Sequence, residues 1–208
     1  MRYAKVFARQ YPLIGSMLDP RTMPDVALIG EKSFLYEKLF GKAEADCLYI
    51  KPELLGSPYL PRFKLLMIPT GFANPQYSRV LPALRRCREG LARFIEGGGV
   101  LIAFGPHVAE HDYDWLCLPM GYIAEYGSAQ ALSVLEDDPL CCFPSTGDCD
   151  GYLHPGKGFR TLIEDSQGRP VLAVAEHGEG LVVITSIHEF PPAEMIRRAL
   201  ARGKLASF

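Results

Sequence analysis

The sequence lacks an excess of either charge and has no long hydrophobic run. Among its 208 residues, 22 lysines and arginines stand against 24 aspartates and glutamates, for a net charge of −2. Proteins that bind phosphate backbones carry a strong positive field, so we expect no nucleic acid partner. The chain contains no apolar run of about 18 residues and no signal-like stretch after Met1. We therefore expect one cytoplasmic domain, residues 1–208, without a membrane partner.

Nothing in the sequence indicates an oxidising compartment, so its six cysteines are not interpreted as a disulfide framework. Cys141, Cys142 and Cys149 lie near His154 in a segment of unusual composition. Thiolate and imidazole are preferred zinc ligands, which makes these four residues weak metal-ligand candidates, but their spacing matches no ligand motif. We expect neither a metal nor another cofactor. The competing interpretation is a turn at residues 148–151 with partly buried thiols.

From residue 25 onward, short apolar runs alternate with helical patterns. Helices are predicted over residues 32–40, ending at Gly41, and over residues 78–96. Crossovers of this length join parallel strands, so the pattern predicts an α/β fold with a mainly parallel central sheet. The predicted strands, each covered on both faces, are residues 25–30, 47–50, 63–68 and 100–104.

The later part of the chain has a different pattern. Residues 161–164, 171–175 and 181–185 are closely spaced apolar runs separated by glycine-bearing turns, which predicts antiparallel hairpins before a closing helix. The pattern over residues 106–158 is weak, and we predict a long irregular insertion there. Residues 1–24 are interpreted as an N-terminal extension packed against the edge of the domain.

Three parts of this pattern resemble the class I glutamine amidotransferase-like superfamily. They are the strand and turn over residues 65–71, the helix end and strand over residues 94–105, and the late turn at residues 178–180 leading to His188. The resemblance covers about residues 25–200 in architecture. It implies a flavodoxin-like three-layer sandwich with a mainly parallel central sheet and C-terminal antiparallel hairpins.

The chemistry of that family requires a cysteine on a Gly-x-Cys-x-Gly elbow, a histidine base, and an acid two residues after the histidine. Here the elbow reads Gly105-Pro106-His107-Val108-Ala109, so His107 occupies the position of the nucleophile. An imidazole cannot replace the thiolate as acyl acceptor. The late motif places Glu189 only one residue after His188. The resemblance therefore implies a catalytically degenerate member, and we expect no glutaminase activity.

Open α/β sheets bind their ligands at the C-terminal ends of the strands, where both histidines would lie. Gly71 stands where the family forms its oxyanion hole, although a glycine there can also serve only to turn the chain. We therefore expect a small-molecule ligand bound by Gly71, Gly105, His107 and His188.

Three functions follow from these residues. The first is a non-catalytic amidotransferase-like domain that serves as a small-molecule-binding or regulatory module. The second is a hydrolase with a relocated site, in which His107, His188 and Glu189 are catalytic candidates and act with Cys149 or Asp150 of the insertion. Distances among these side chains distinguish the two.

The third function is a structural subunit that buries a surface against a partner, and a homo-oligomer is compatible with the sequence. Its only support is an aromatic-rich region, whose members are more often core residues. These aromatic residues are Tyr113, Trp115, Tyr122 and Tyr126.

Overall fold

The first half of the chain alternates strands with helices in this computed structural model, which describes residues 23–76, 78–126, 130–188 and 190–208. The proposed N-terminal extension lies almost entirely outside these ranges. The strands are β1 (Val26–Ile29), β2 (Cys47–Ile50), β3 (Leu65–Ile68) and β4 (Val100–Ala103). The helices are α1 (Phe34–Ala43), α2 (Val80–Arg86) and α3 (Arg88–Glu96), with a 3₁₀ turn at Pro52–Leu54.

The segment 106–158 is not irregular as predicted, because it contains short antiparallel strands. The strands are β5 (Glu110–Asp112), β6 (Met120–Ala124), β7 (Gln130–Ala131), β8 (Ser133–Val134), β9 (Thr146–Gly147) and β10 (Gly151–Pro155). Strands of two to five residues show little alternation in the sequence, and β5 buries a polar residue, His111, at its centre. β5, β6 and β10 form a three-stranded sheet, and β7 pairs with β9.

The C-terminal strands form the predicted hairpins. They are β11 (Arg160–Glu164), β12 (Pro170–His177) and β13 (Gly180–Thr185), and α4 (Ala193–Arg202) follows. Within the described residues, the central sheet has eight strands in the order β2-β1-β3-β4-β13-β12-β11-β8. β2, β1, β3, β4 and β13 pair in parallel with their neighbours in this order. β12, β11 and β8 are added to β13 by antiparallel pairing. The predicted α/β class, with a mostly parallel sheet and antiparallel strands, is confirmed.

Apolar side chains cover both faces of the central sheet. One cluster joins Ile29 and Ile68 to Leu84 and Phe94 of α2 and α3. The other packs the alternate strand residues against α1 and α4. Tyr113, Trp115 and Tyr122 belong to the first cluster, which confirms them as core residues. Among the described residues, no helix is long and apolar enough to cross a membrane.

The end of α1 differs from the prediction. The helix continues through Gly41 and stops at Glu44, which takes the left-handed conformation with a φ of 57°. The N–H groups of Glu44 and Ala45 donate to the carbonyls of Gly41 and Phe40 at 3.3 and 3.1 Å. This pair of bonds is a Schellman motif, which satisfies the last carbonyls of the helix without a glycine at the left-handed position.

The single helix predicted over residues 78–96 is two helices, interrupted at Cys87. The Cys87 N–H is shared between the carbonyls of Ala83 and Leu84, at 3.0 and 3.1 Å. Its thiol donates to the carbonyl of Leu55 at 3.1 Å. At Cys87 the α-helical hydrogen bond is therefore combined with a 3₁₀-type bond. A second helix then follows on the same side of the sheet.

We expect Gly98→Ala to lower the free energy of unfolding by about 1–2 kcal/mol, because the left-handed region is unfavourable for an L-residue. Gly98 has a φ of 100°, and a Cβ there would lie 2.9 Å from Cβ of Lys204. Urea denaturation measures the change. Gly41→Ala is the control, since Gly41 is helical with open space around it, and it should be neutral or stabilising. Unchanged stability of Gly98→Ala would contradict the left-handed turn.

Candidate functional site

Three parallel strands end at one edge of the central sheet. β4 pairs in parallel with β3 on one side and with β13 on the other. The segments that follow these strands, residues 69–71, 104–107 and 186–188, therefore leave the sheet at the same edge. This edge is where the ligands of open α/β sheets bind.

The chain before β10 crosses this edge and is hydrogen-bonded to the segment that follows β13. Cys149 and Ile187 form an isolated antiparallel bridge. The Asp150 N–H donates to the carbonyl of Ser186 at 2.9 Å, and the His188 N–H donates to the carbonyl of Asp148 at 2.8 Å. Residues 148–150 are therefore paired with the segment after β13, with a bend at Asp150, and this pairing replaces the isolated turn predicted over residues 148–151.

This pairing brings a buried carboxylate to His188. Nδ1 of His188 lies 2.8 Å from Oδ2 of Asp150. Asp150 is 7% exposed, whereas the side chain of His188 is 54% exposed. The carboxylate can only accept a hydrogen bond when ionised, so Nδ1 donates and Nε2 is the ring atom available to a ligand. We call this pair the His188–Asp150 dyad.

The main chain of Asp150 is fixed from two further directions. Its carbonyl accepts a hydrogen bond from the Tyr122 hydroxyl at 2.7 Å and from the Glu125 N–H at 3.0 Å. Burial raises the pKa of the Tyr122 phenol, with a smaller contribution from Asp150, so the hydroxyl stays protonated. A methyl group at Gly105 would lie 3.4 Å from Oδ2 of Asp150. The carboxylate therefore lies directly beside the segment after β4.

His188 lines a pocket of about 140 Å³ at this edge. The rings of Tyr36 and Phe190 meet edge to face with centroids 4.8 Å apart. Burial, with a smaller contribution from Tyr49, raises the pKa of Tyr36 to about 12, so its phenol is neutral at physiological pH. The pocket surface is mixed, with polar groups beside aromatic and aliphatic side chains. The lining residues are Tyr36, Met67, Thr70, Phe104, His188, Phe190 and Pro191.

His107 has the left-handed conformation, with a φ of 57°. The ring of His107 meets that of Tyr126 edge to face at 5.5 Å, and His107 is not among the residues that line the pocket of His188. The chain continues from His107 into β5 and not into a helix. The N–H of Gly71 donates to the carbonyl of Gly105 at 2.8 Å.

The other sequence candidates are not gathered at the dyad. Glu189 lies outside the described residues. Cys149 is buried beside the dyad, and burial, followed by nearby aspartates, raises the pKa of its thiol to about 12. Burial also raises the pKa values of Cys141 and Cys142. His154 lines a separate depression of about 580 Å³ beside the three-stranded sheet of β5, β6 and β10. Within the described ranges, no three His, Cys, Asp or Glu side chains are grouped to hold a metal ion.

Asp150 is the site residue that the sequence defines least. The sequence suggests it only for the relocated hydrolase, as one of two residues from the insertion. It lies 38 residues before His188, so no local spacing joins the two. Their contact depends on the bridge between Cys149 and Ile187, which no sequence pattern indicates.

No known family model and no curated protein matches the sequence. The chain is similar in structure to the β-galactosidase from Bacillus circulans sp. alkalophilus, with a TM-score of 0.56, 16% identity, and coverage of 90% of this chain and 31% of that one. It is also similar to a cytoplasmic protein from Salmonella typhimurium LT2, with a TM-score of 0.55, 13% identity, and coverage of 86% and 99%.

A third similar structure is a putative GMP synthase subunit from Thermoplasma acidophilum. Its TM-score is 0.54 at 11% identity, with coverage of 87% of this chain and 94% of that one. At these identities the similarity shows the fold alone. The chain spans about a third of the length of the β-galactosidase.

We expect the neutral ring of His188 to carry its proton on Nδ1, because the buried carboxylate of Asp150 accepts from that atom. Long-range ¹⁵N NMR reports the tautomer. His177 is a matched control with the opposite arrangement, since its Nε2 lies 3.2 Å from Oε1 of Glu96 and should carry the proton. Asp150→Ala should abolish the Nδ1–H preference of His188. An Nε2–H tautomer at His188 in the unmodified protein would contradict the dyad.

Cys149 should resist alkylation in the folded protein. Because its pKa is raised to about 12, its thiolate fraction at pH 8 is roughly three orders of magnitude below that of an ordinary cysteine. Iodoacetamide labelling followed by peptide mass spectrometry measures this, and the rate should rise about tenfold per pH unit. In urea, Cys149 and Cys87 should react equally. Rapid labelling of Cys149 in the folded protein at pH 8 would show an activated thiol instead.

Proposed function

We propose that this chain is a non-catalytic amidotransferase-like domain that binds a small molecule in the pocket of His188. The observation that carries the proposal is the His188–Asp150 dyad, a partly exposed imidazole fixed by a buried carboxylate at the ligand edge of the sheet. Binding sites in such sheets combine an apolar pocket with a few oriented polar groups. The pocket of His188 combines aromatic walls with the oriented imidazole and the Thr70 hydroxyl, on a surface that is more polar than that of most such sites.

The amidotransferase-like assignment is supported by the topology. The parallel strands have the order β2-β1-β3-β4-β13, which corresponds to the order of flavodoxin-like sheets. The similarity to the putative GMP synthase subunit agrees with the resemblance found in the sequence. The similar Salmonella protein is a cytoplasmic protein, and we propose the same location for this chain.

Two features of the elbow argue against amidotransferase catalysis. His107 stands where the resembling family has its cysteine, and β5 rather than a helix follows it, so no helix N-terminus would activate a thiolate there. The Gly71 N–H, at the position of the family's oxyanion hole, already donates to the carbonyl of Gly105. The left-handed backbone of His107 is consistent with an elbow that has kept its shape.

A second candidate function is hydrolysis by a relocated site, which the dyad itself favours. A histidine oriented by a carboxylate at Nδ1 is the usual general base of hydrolases. Thr70 and Tyr36 are hydroxyl residues that share the pocket with His188, and the Tyr36 phenol is held neutral by its raised pKa. Cys149 is a poor nucleophile here because its thiol is neutral and buried. The structural-subunit hypothesis loses most of its support, since Tyr113, Trp115 and Tyr122 are core residues and only Tyr126, which is 60% exposed, lies at the surface.

A metabolite screen by thermal unfolding tests the binding proposal. We expect at least one small molecule to raise the melting temperature, since a ligand at 100 times its Kd stabilises by about 2.7 kcal/mol. The shift should disappear in His188→Ala and shrink in Asp150→Asn, and should persist in His177→Ala, a histidine with a carboxylate partner outside the pocket. A shift that survives His188→Ala would place the ligand elsewhere.

Two activity assays separate the candidate functions. Glutamine should release no glutamate above background, because the elbow lacks a thiol. Turnover of an activated ester that is lost in both His188→Ala and Asp150→Asn, and retained in His177→Ala, would establish the hydrolase instead. If glutamate were released and a thiol alkylator abolished that release, a cysteine outside the elbow would be the nucleophile.

A further inference from the structure

The charges around the pocket of His188 favour a positively charged ligand over a negatively charged one. The carboxylate of Asp150 lies directly behind His188, 2.8 Å from its ring. Of the residues that line this pocket in the described part of the chain, none is a lysine or arginine. An anion entering the pocket would approach this buried negative charge without a basic side chain in the described lining to compensate it.

The hydrogen-bonding groups of the pocket favour a ligand that donates. Because Nδ1 of His188 donates to Asp150, the neutral ring presents Nε2 as an acceptor. Thr70 adds a hydroxyl, which accepts as readily as it donates. A primary ammonium group has three donors and no acceptor, so it matches both groups.

The walls of the pocket suit the same ligand. Tyr36 and Phe190 meet edge to face at 4.8 Å, and Phe104 lies on the same pocket. Aromatic faces attract cations, and the attraction increases as the cation is desolvated. The pocket volume is about 140 Å³, close to the roughly 150 Å³ cavity that holds a benzene molecule. The ligand portion inside it therefore has about six non-hydrogen atoms.

One opposing feature lies at the same edge. α1 begins there with Ser33 as its N-cap, and the N-terminus of a helix is partly positive. The first turn of the helix contains Glu37, whose carboxylate is paired with Lys32 at 2.6 Å. The Ser33 hydroxyl also accepts from the Tyr36 N–H at 3.4 Å. The Ser33 hydroxyl therefore satisfies one N–H group of the first turn, whereas Glu37 is already neutralised by Lys32 and offsets little of the dipole.

We propose that the pocket binds a small primary ammonium group carrying an apolar body of about four or five carbons. This inference rests on the proposed function, because it assumes that the pocket is a binding site. It adds the chemical class of the ligand. Asp150 supplies the charge, Nε2 of His188 and the Thr70 hydroxyl accept the donors, and the aromatic walls enclose the apolar body.

A series with one apolar body and three head groups tests this. n-Butylammonium, n-butanol and n-butyrate are titrated separately into the full chain at about pH 8, and the ¹⁵N and ¹³C resonances of His188 report binding. We expect n-butylammonium to bind at least tenfold more tightly than n-butyrate, with n-butanol between them. His177 resonances serve as the internal control and should not move.

Two variants identify the source of the selectivity. Asp150→Asn removes the charge and keeps the shape, so the preference for n-butylammonium over n-butanol should fall severalfold. Phe190→Leu removes an aromatic face and should weaken n-butylammonium more than n-butanol. Circular dichroism and the melting temperature check that each variant is folded.

The possible results separate this inference from the proposed function. Tightest binding of n-butyrate, with shifts at His188, would overturn the ammonium class while leaving a ligand pocket at this site. Equal binding of all three probes would also overturn it. If no probe shifts His188 at tens of millimolar concentration while its resonances are observed, both the inference and the small-molecule pocket fail.

Discussion

Strand β13 is the element on which the rest of the structure depends. It pairs in parallel with β4 on one side and antiparallel with β12 on the other, and all six of its residues are buried. The parallel sheet and the C-terminal hairpins therefore meet at one continuous apolar strand. Because β13 lies between β4 and β12, the segment that follows it, residues 186–188, leaves the sheet beside the segment that follows β4.

The site is built by adding a second set of main-chain hydrogen bonds to that segment. Residues 148–150 pair with it and bring Asp150 to His188. A buried carboxylate is costly unless its partners are in place, and Asp150 has a fixed main chain as well as an imidazole partner. These contacts offset the cost of burying the charge and hold the carboxylate against the imidazole.

Much of the fold could be predicted from the sequence because the central strands are continuous apolar runs. The shared edge of the two histidines follows from the same pattern, since parallel strands end together. Other features depend on interactions that leave no local signal. The left-handed Glu44 ends α1 three positions beyond the glycine that the sequence suggests as its end, and the β5, β6 and β10 sheet consists of strands too short to alternate visibly. Asp150 reaches His188 only through the pairing of two distant segments.

The dyad joins two sheets, and this has a mechanical consequence. His188 follows the last strand of the parallel set in the central sheet. Asp150 directly precedes β10, and its carbonyl accepts a hydrogen bond from Tyr122 of β6; β6 and β10 are neighbours in the three-stranded sheet. The Asp150 N–H also donates to the carbonyl of Ser186, and the His188 N–H donates to the carbonyl of Asp148, so both members of the dyad are held in one hydrogen-bonded junction. A displacement of one sheet against the other would have to break these main-chain hydrogen bonds before the imidazole and the carboxylate could separate. The dyad is therefore fixed at the point where the two sheets are tied together.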